Sequence, residues 1–144
     1  MAGYYAPRVA AFEKRLKALV AWSGCYSILD DLYDFCVHLQ PVCQRLLGGV
    51  SHEEARRRLK DFTMAGIAQN ITCPTLITHG DKDTLMSVEG AKRLFQEIGA
   101  RDKTLKIYDG YYHDLLADQG REHPLADIQA WIEARIDVAP VVSA

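Results

Sequence analysis

The hydrophobic positions of the chain gather in three short, nearly continuous runs, at 16–22, 74–80 and 105–108. Apolar runs of this length are typical of strands that are buried on both faces, as in a parallel sheet. Each run is followed directly by glycine or by a polar turn. The pattern therefore predicts two buried strands, at 16–22 and 74–80, and a third strand at 105–108.

Segments with helical periodicity flank these strands. Residues 5–14, 88–98 and 125–136 repeat apolar positions every three or four residues, which predicts amphipathic helices. Ser87 is a suitable N-cap for the second of these helices, and Pro124 suits the first position of the third. Strands that alternate with helices imply an α/β fold with a parallel sheet and right-handed crossovers.

Residues 26–68, called here the helical block, contain helical periodicity and no strand candidate. Gly48 and Gly49 end a first helical segment. Ser51, followed three residues later by Glu54, forms a capping box that opens a second helix. A third short helical piece is expected over 61–68. The helical block is thus an insert between the first and second strands.

The composition and net charge of the chain argue against several classes of function. The chain has 144 residues, enough for one modest domain, and its net charge of -2 offers no excess that would favour nucleic acid or an anionic membrane surface. No apolar run approaches the length of a membrane span, and the start lacks the features of a signal peptide. The cysteines and histidines form no metal-ligand cluster, and no glycine-rich phosphate loop is present. We expect a cytoplasmic protein without metal or cofactor.

Two strand ends carry groups that could perform chemistry. Asp83 lies in the loop after the second strand and His113 in the loop after the third. Functional groups collect at the carboxyl ends of strands in open α/β sheets, and a carboxylate beside an imidazole can orient it for proton transfer. Asp81 is the competing acid, and His79 is expected to pack beneath the loop.

Residues 73–83, CPTLITHGDKD, resemble the strand and acid loop of α/β-hydrolases, whose pattern is H-G-x-x-D. Residues 3–8, GYYAPR, resemble the sequence after the nucleophile elbow in a subgroup with helical caps. That subgroup includes 2,6-dihydroxypseudooxynicotine hydrolase, fungal polyketide-shortening pigment hydrolases and FrsA-like esterases. The resemblance implies the C-terminal part of an α/β-hydrolase fold, with the core at 1–25 and 69–137, the cap at 26–68 and a tail at 138–144.

The same resemblance implies roles for individual residues. Asp83 matches the acid of a catalytic triad and His113 its base, while the nucleophilic serine is expected just before Met1, because the chain order in this fold is serine, acid, histidine. Met1 would donate to the oxyanion hole of a complete enzyme. Ser23 is a conceivable nucleophile, but its neighbours do not match G-x-S-x-G.

The helical block offers a candidate substrate pocket. Tyr26, Asp31 and Tyr33 could line such a pocket, and ordinary packing within the block is the alternative. The edge of the strand at 16–22 is expected to be apolar and unpaired, so that self-association through this edge is a candidate interaction.

The sequence thus leads to three hypotheses about function. The first is the C-terminal half of a serine-dependent hydrolase, cleaving an ester or a carbon–carbon bond beside a carbonyl of a small molecule, and inactive alone because the serine is missing. The second is a non-catalytic binding module or a truncated, degenerate hydrolase fragment. The third is an unrelated small α/β domain, which the absence of an acidic cluster after the first strand disfavours.

Overall fold

A three-stranded parallel sheet lies at the centre of the computed structural model, which describes residues 2–135. The strands are β1 (Leu19–Trp22), β2 (Thr75–Gly80) and β3 (Lys103–Tyr108), with β2 in the middle. All of β2 is buried, as a central strand covered on both faces should be. The three predicted strands and the α/β class are confirmed.

Five α-helices accompany the sheet, and their bounds differ from the predicted ones by a few residues. The helix before β1 starts earlier than expected, so that Pro7 lies in its interior. Pro7 has no N–H to donate to the carbonyl of Gly3. This carbonyl instead accepts the N–H of Cys25 at 3.1 Å. The helices are α1 (Ala2–Phe12), α2 (Gln40–Leu46), α3 (His52–Leu59), α4 (Val88–Glu97) and α5 (Glu122–Glu133).

The predicted starts of α4 and α5 had different outcomes. Ser87 caps α4, since its hydroxyl accepts the N–H of Glu89 at 3.2 Å. The prediction for Pro124 was wrong, because α5 begins at Glu122. Proline is tolerated at the third position because the N–H groups of the first helical turn have no acceptor within the helix. No helix within residues 2–135 is long and apolar enough to cross a membrane.

The helical block consists of a π-helical turn at Leu29–Asp34, then α2 and α3. Ser51 caps α3, since its hydroxyl accepts the N–H of Glu54 at 3.3 Å. The prediction of a short helical piece over 61–68 was wrong. That segment forms turns, and a single 3₁₀ turn starts only at its last residue. Gly66, with a φ of +73°, interrupts any helix there.

One continuous hydrophobic core joins the sheet to the helical block. It is formed by side chains from α1, α4, the first two strands and the block, including Tyr4, Met64, Ile71, Ile77 and Leu94, all with no exposed surface. The block is therefore continuous with this core, and its π-helical turn contacts α4. The predicted tail at 138–144 lies outside the described residues.

Candidate active site

Asp83 and His113 meet at the carboxyl edge of the sheet. His113 Nδ1 lies 2.7 Å from Asp83 Oδ2. The side chain of Asp83 has no exposed surface, whereas that of His113 is 33% exposed. A carboxylate can only accept a hydrogen bond, so the proton of this bond belongs to His113 Nδ1. The free Nε2 is then the nitrogen that can take up a proton from another molecule or group.

The surroundings of Asp83 favour its ionised form. Asp83 Oδ1 accepts the N–H groups of Leu85 and Met86 at 2.8 and 2.9 Å. Burial alone would raise the pKa of the carboxyl, but the hydrogen bonds from His113, His79 and these two backbone groups outweigh it and hold the pKa of Asp83 well below its usual range. The acid is therefore a carboxylate at neutral pH.

Two small features hold the loop that carries His113. Gly80, the last residue of β2, lies directly under the carbonyl oxygens of Tyr111 and Tyr112, and a Cβ there would collide with both. The Ser23 hydroxyl donates to the backbone carbonyl of His113 at 2.8 Å. The φ of Ser23 is +48°, a conformation uncommon for a residue with a side chain. The end of β1 thus helps to place the histidine.

Asp81, the competing acid, points elsewhere. Its carboxylate accepts the N–H of Gly110 at 2.6 Å and pairs with Lys82 at 2.7 Å. The hydrogen bond from Lys82 holds the pKa of Asp81 below its usual range. These contacts tie together the loops after β2 and β3 on their exposed side.

A small cavity of about 290 Å³ adjoins His113. Ala2 and Gly3, the first residues of α1, line it together with Ser23. A side chain on Gly3 would collide with the carbonyl oxygens at the end of β1, so glycine lets the helix approach this closely. The start of α1 and the imidazole therefore face one space. Met1, the predicted oxyanion-hole donor, lies outside the described residues.

A second cavity, of about 440 Å³, lies under the helical block and also reaches His113. No Asp, Glu, Lys or Arg side chain is among those that line it, and burial raises the pKa of the Cys43 thiol on its wall. The walls include Ile28, Leu32, Leu39, Leu47 and Phe62. The space next to the imidazole thus suits an uncharged, apolar group.

None of the three predicted pocket residues lines this cavity. The hydroxyl of Tyr26 donates to Glu97 at 2.6 Å, and that of Tyr33 lies 3.0 Å from His52 Nδ1. Asp31 is buried, and its carboxylate accepts the N–H groups of Tyr26 and Ser27 at 2.8 and 2.7 Å. Burial, only partly offset by these bonds, raises the pKa of Asp31. A role in binding substrate stays a prediction for all three.

Two contacts of the site were not foreseen from the sequence. His79 reaches Asp83 as well as packing beneath the loop, with its Nε2 3.3 Å from Asp83 Oδ2. Ser23 was considered only as a nucleophile. The H-G-x-x-D spacing is the one signal that could have suggested the first contact.

Within residues 2–135, no three His, Cys, Asp or Glu side chains come together in a way that could hold a metal ion.

Comparisons with known proteins bear on this site. A family model described as serine aminopeptidase, S33, matches residues 59–120. Monoacylglycerol lipase of Mycolicibacterium smegmatis is 35% identical over 69 residues, which make up 48% of this chain and 25% of that protein. Caffeoylshikimate esterase of Arabidopsis thaliana is also 35% identical over 69 residues, 46% of this chain and 21% of that protein.

Solved structures match over more of the chain. The crystal structure of 2,6-dihydroxy-pseudo-oxynicotine hydrolase superposes with a TM-score of 0.73 at 25% identity, covering 96% of this chain and 40% of that one. The monoacylglycerol lipase of Paleococcus ferrophilus superposes with a TM-score of 0.69 at 23% identity, covering 93% of this chain and 65% of that one. The chain spans a quarter or less of the two curated relatives above.

Proposed function

Because the chain belongs to the α/β-hydrolase superfamily and has serine-hydrolase ancestry, we propose that Asp83 and His113 are the acid and base of a catalytic triad. The hydrogen bond of 2.7 Å between His113 Nδ1 and Asp83 Oδ2 carries this proposal. The nucleophile would be a serine outside residues 2–135. The reaction would be hydrolysis of an ester, or of a carbon–carbon bond beside a carbonyl.

His113 would move protons in both directions during such a reaction. Its Nε2 takes the proton of the serine hydroxyl as the serine oxygen attacks the carbonyl carbon, and later gives that proton to the leaving group. Water then attacks the acyl carbonyl and gives a proton to His113 Nε2, which passes it to the serine oxygen as the acyl–serine bond breaks and the acid product leaves. Asp83 holds the Nδ1–H tautomer throughout and stabilises the imidazolium.

The position of α1 supports a nucleophile directly before Met1. In the resembled pattern G-x-S-x-G-G-Y-Y-A-P-R, the residues after the serine begin the helix that corresponds to α1. Ala2 and Gly3 line the same cavity as His113. A serine directly before Met1 would be two positions before Ala2 and could lie beside the free Nε2, and in a complete enzyme the N–H of Met1 would donate to the developing oxyanion.

The apolar cavity under the helical block supports a substrate with an uncharged apolar part. We propose that the block acts as a cap, and that this part of a small-molecule substrate fills the 440 Å³ space beside His113. The carbonyl to be attacked would then lie at the junction of the two cavities, where the imidazole is exposed.

The test begins with the coding sequence upstream of the Met1 codon. An in-frame G-x-S there defines a longer protein, which is treated with a fluorophosphonate that labels active serines. We expect labelling of the unmodified protein and a loss of about 10³-fold or more in His113→Ala, because the serine then has no base. His123→Ala, at an exposed histidine on α5, is the matched control and should label normally. A folded longer protein that does not label would overturn the proposal.

A separate proposal concerns partners. Within residues 2–135, β1 is an edge strand that pairs with β2 alone, and a groove of about 430 Å³ between β1 and α5 is lined by Val20, Trp22, Leu125 and Ile128 among others. Strand edges of this kind associate with other strands. We expect the 144-residue chain to form oligomers in size-exclusion chromatography.

A single charge should weaken that association. Val20→Lys places an ammonium on the edge and is expected to shift the chain towards monomer. Val37→Lys, at a residue that is 59% exposed and far from β1 in the sequence, should leave the elution volume unchanged. A monomeric unmodified chain with cooperative unfolding would rule out self-association through this edge.

A further inference from the structure

His79 is a buried imidazole that the proposed reaction does not use. It lies near the end of β2, and its side chain has no exposed surface. Its Nε2 is 3.1 Å from the carbonyl oxygen of Met86 and 3.3 Å from Asp83 Oδ2. Both neighbours can only accept hydrogen bonds, so Nε2 carries the proton.

The other ring nitrogen fixes the charge state. Nδ1 of His79 is buried and has no hydrogen-bond partner among residues 2–135. A protonated ring would bury a second N–H and a positive charge without an acceptor, which is far costlier than an unused lone pair. His79 is therefore neutral, and its one N–H is shared between the Met86 carbonyl and the Asp83 carboxylate.

The shared proton links the acid to the loop that follows it. Asp83 Oδ1 is already fixed by the N–H groups of Leu85 and Met86. Oδ2 has two imidazole neighbours, His113 on the exposed side and His79 in the interior. Without His79, Oδ2 would keep His113 as its only hydrogen-bond donor, and the carboxylate would be free to turn about its Oδ1 contacts.

We propose that His79 is a positioning residue for the acid: its Nε2–H holds Asp83 Oδ2 in the orientation that receives His113 Nδ1. This role depends on the proposed function, because it takes Asp83 to be the acid of the catalytic triad. A residue that merely filled space could be replaced by an apolar side chain with no effect on the titration of Asp83, and this difference is measurable.

The experiment uses the 144-residue chain with ¹³C-labelled aspartate, and follows the Asp83 carboxyl carbon by NMR as the pH falls. His79→Leu removes the donor, and we expect the protonation midpoint of Asp83 to rise by about one pH unit, as the loss of one hydrogen bond to a charged group implies. His79→Gln keeps an N–H at a similar distance and should restore most of the shift. His113 is bonded to the same carboxylate in every variant, so the comparison between variants isolates the contribution of His79.

Thr78→Val is the matched control. Thr78 is the neighbouring residue of β2, is equally buried, and has a hydroxyl without a hydrogen-bond partner in the described part of the chain. Successive side chains of a strand point to opposite faces, so this change perturbs the same strand without approaching Asp83. The Asp83 midpoint should match that of the unmodified chain.

Two outcomes would overturn the proposal. One is a folded His79→Leu chain whose Asp83 midpoint equals that of the unmodified chain. The other, which needs no variant, is a long-range ¹⁵N spectrum that shows the His79 proton on Nδ1, or a charged ring at neutral pH. Neither readout depends on a nucleophile. A longer protein that fails to label, with the titration as expected, would therefore refute the catalytic proposal and leave the His79–Asp83 interaction intact.

Discussion

Asp83→Asn is expected to reduce fluorophosphonate labelling by about 10⁴-fold in a protein that contains both this chain and the serine, while the fold persists. Asparagine has the shape of aspartate, and its oxygen can still accept the N–H groups of Leu85 and Met86. Its amide nitrogen then faces His113 and donates to Nδ1. The imidazole is forced into the Nε2–H tautomer, which cannot accept the proton of the serine.

The matched control is Asp81→Asn, which tests the competing acid. Asp81 bonds to Gly110 and Lys82 on the exposed side of the same loop, so its loss should lower labelling only slightly. Circular dichroism of both variants checks that the fold survives. If Asp81→Asn abolished labelling and Asp83→Asn did not, the assignment of the acid would be wrong even though the Asp83–His113 bond exists.

The sequence predicted the parts of the fold that depend on local pattern. The three strands follow from continuous apolar runs, and Asp83 and His113 were expected to meet because each follows one of two neighbouring parallel strands. The predicted ends of the strands were less accurate than their existence. The strand β1 begins at Leu19 rather than at 16, since the first positions of that run precede its pairing with β2. Periodicity identifies an element, while hydrogen bonding to its neighbours decides where it ends.

Features that depend on tertiary contacts were not predictable in this way. Tyr33 was predicted as a pocket residue from its place in the helical block, and the contact of its ring with His52 was not predicted. The cavity is walled largely by residues such as Leu47 and Phe62, which come from different segments of the block and meet only when it folds onto the sheet. Nothing in the sequence around Ser23 indicated that its hydroxyl supports the loop of His113, ninety positions away.

Gly80→Ala is expected to destabilise the chain by about 3 kcal/mol, the upper end of the usual cost of overpacking, and to separate His113 from Asp83. The added methyl group would meet two backbone carbonyl oxygens, those of Tyr111 and Tyr112, and backbone cannot move aside as a flexible side chain can. The loop must then lift away from the end of β2. Urea unfolding measures the loss of stability, and the NMR signals of the His113 ring report the loss of its bond.

Gly110→Ala separates this steric effect from the general cost of replacing a loop glycine. Gly110 has a φ of +82° and open space around its Cα, so alanine there meets no atom and costs only the backbone strain of about 1–2 kcal/mol. The His113–Asp83 bond should survive in this variant. If Gly80→Ala were no more destabilising than Gly110→Ala and kept that bond, the close passage of the loop over β2 would not be what places the histidine, and the Ser23 hydroxyl would be left as its main support.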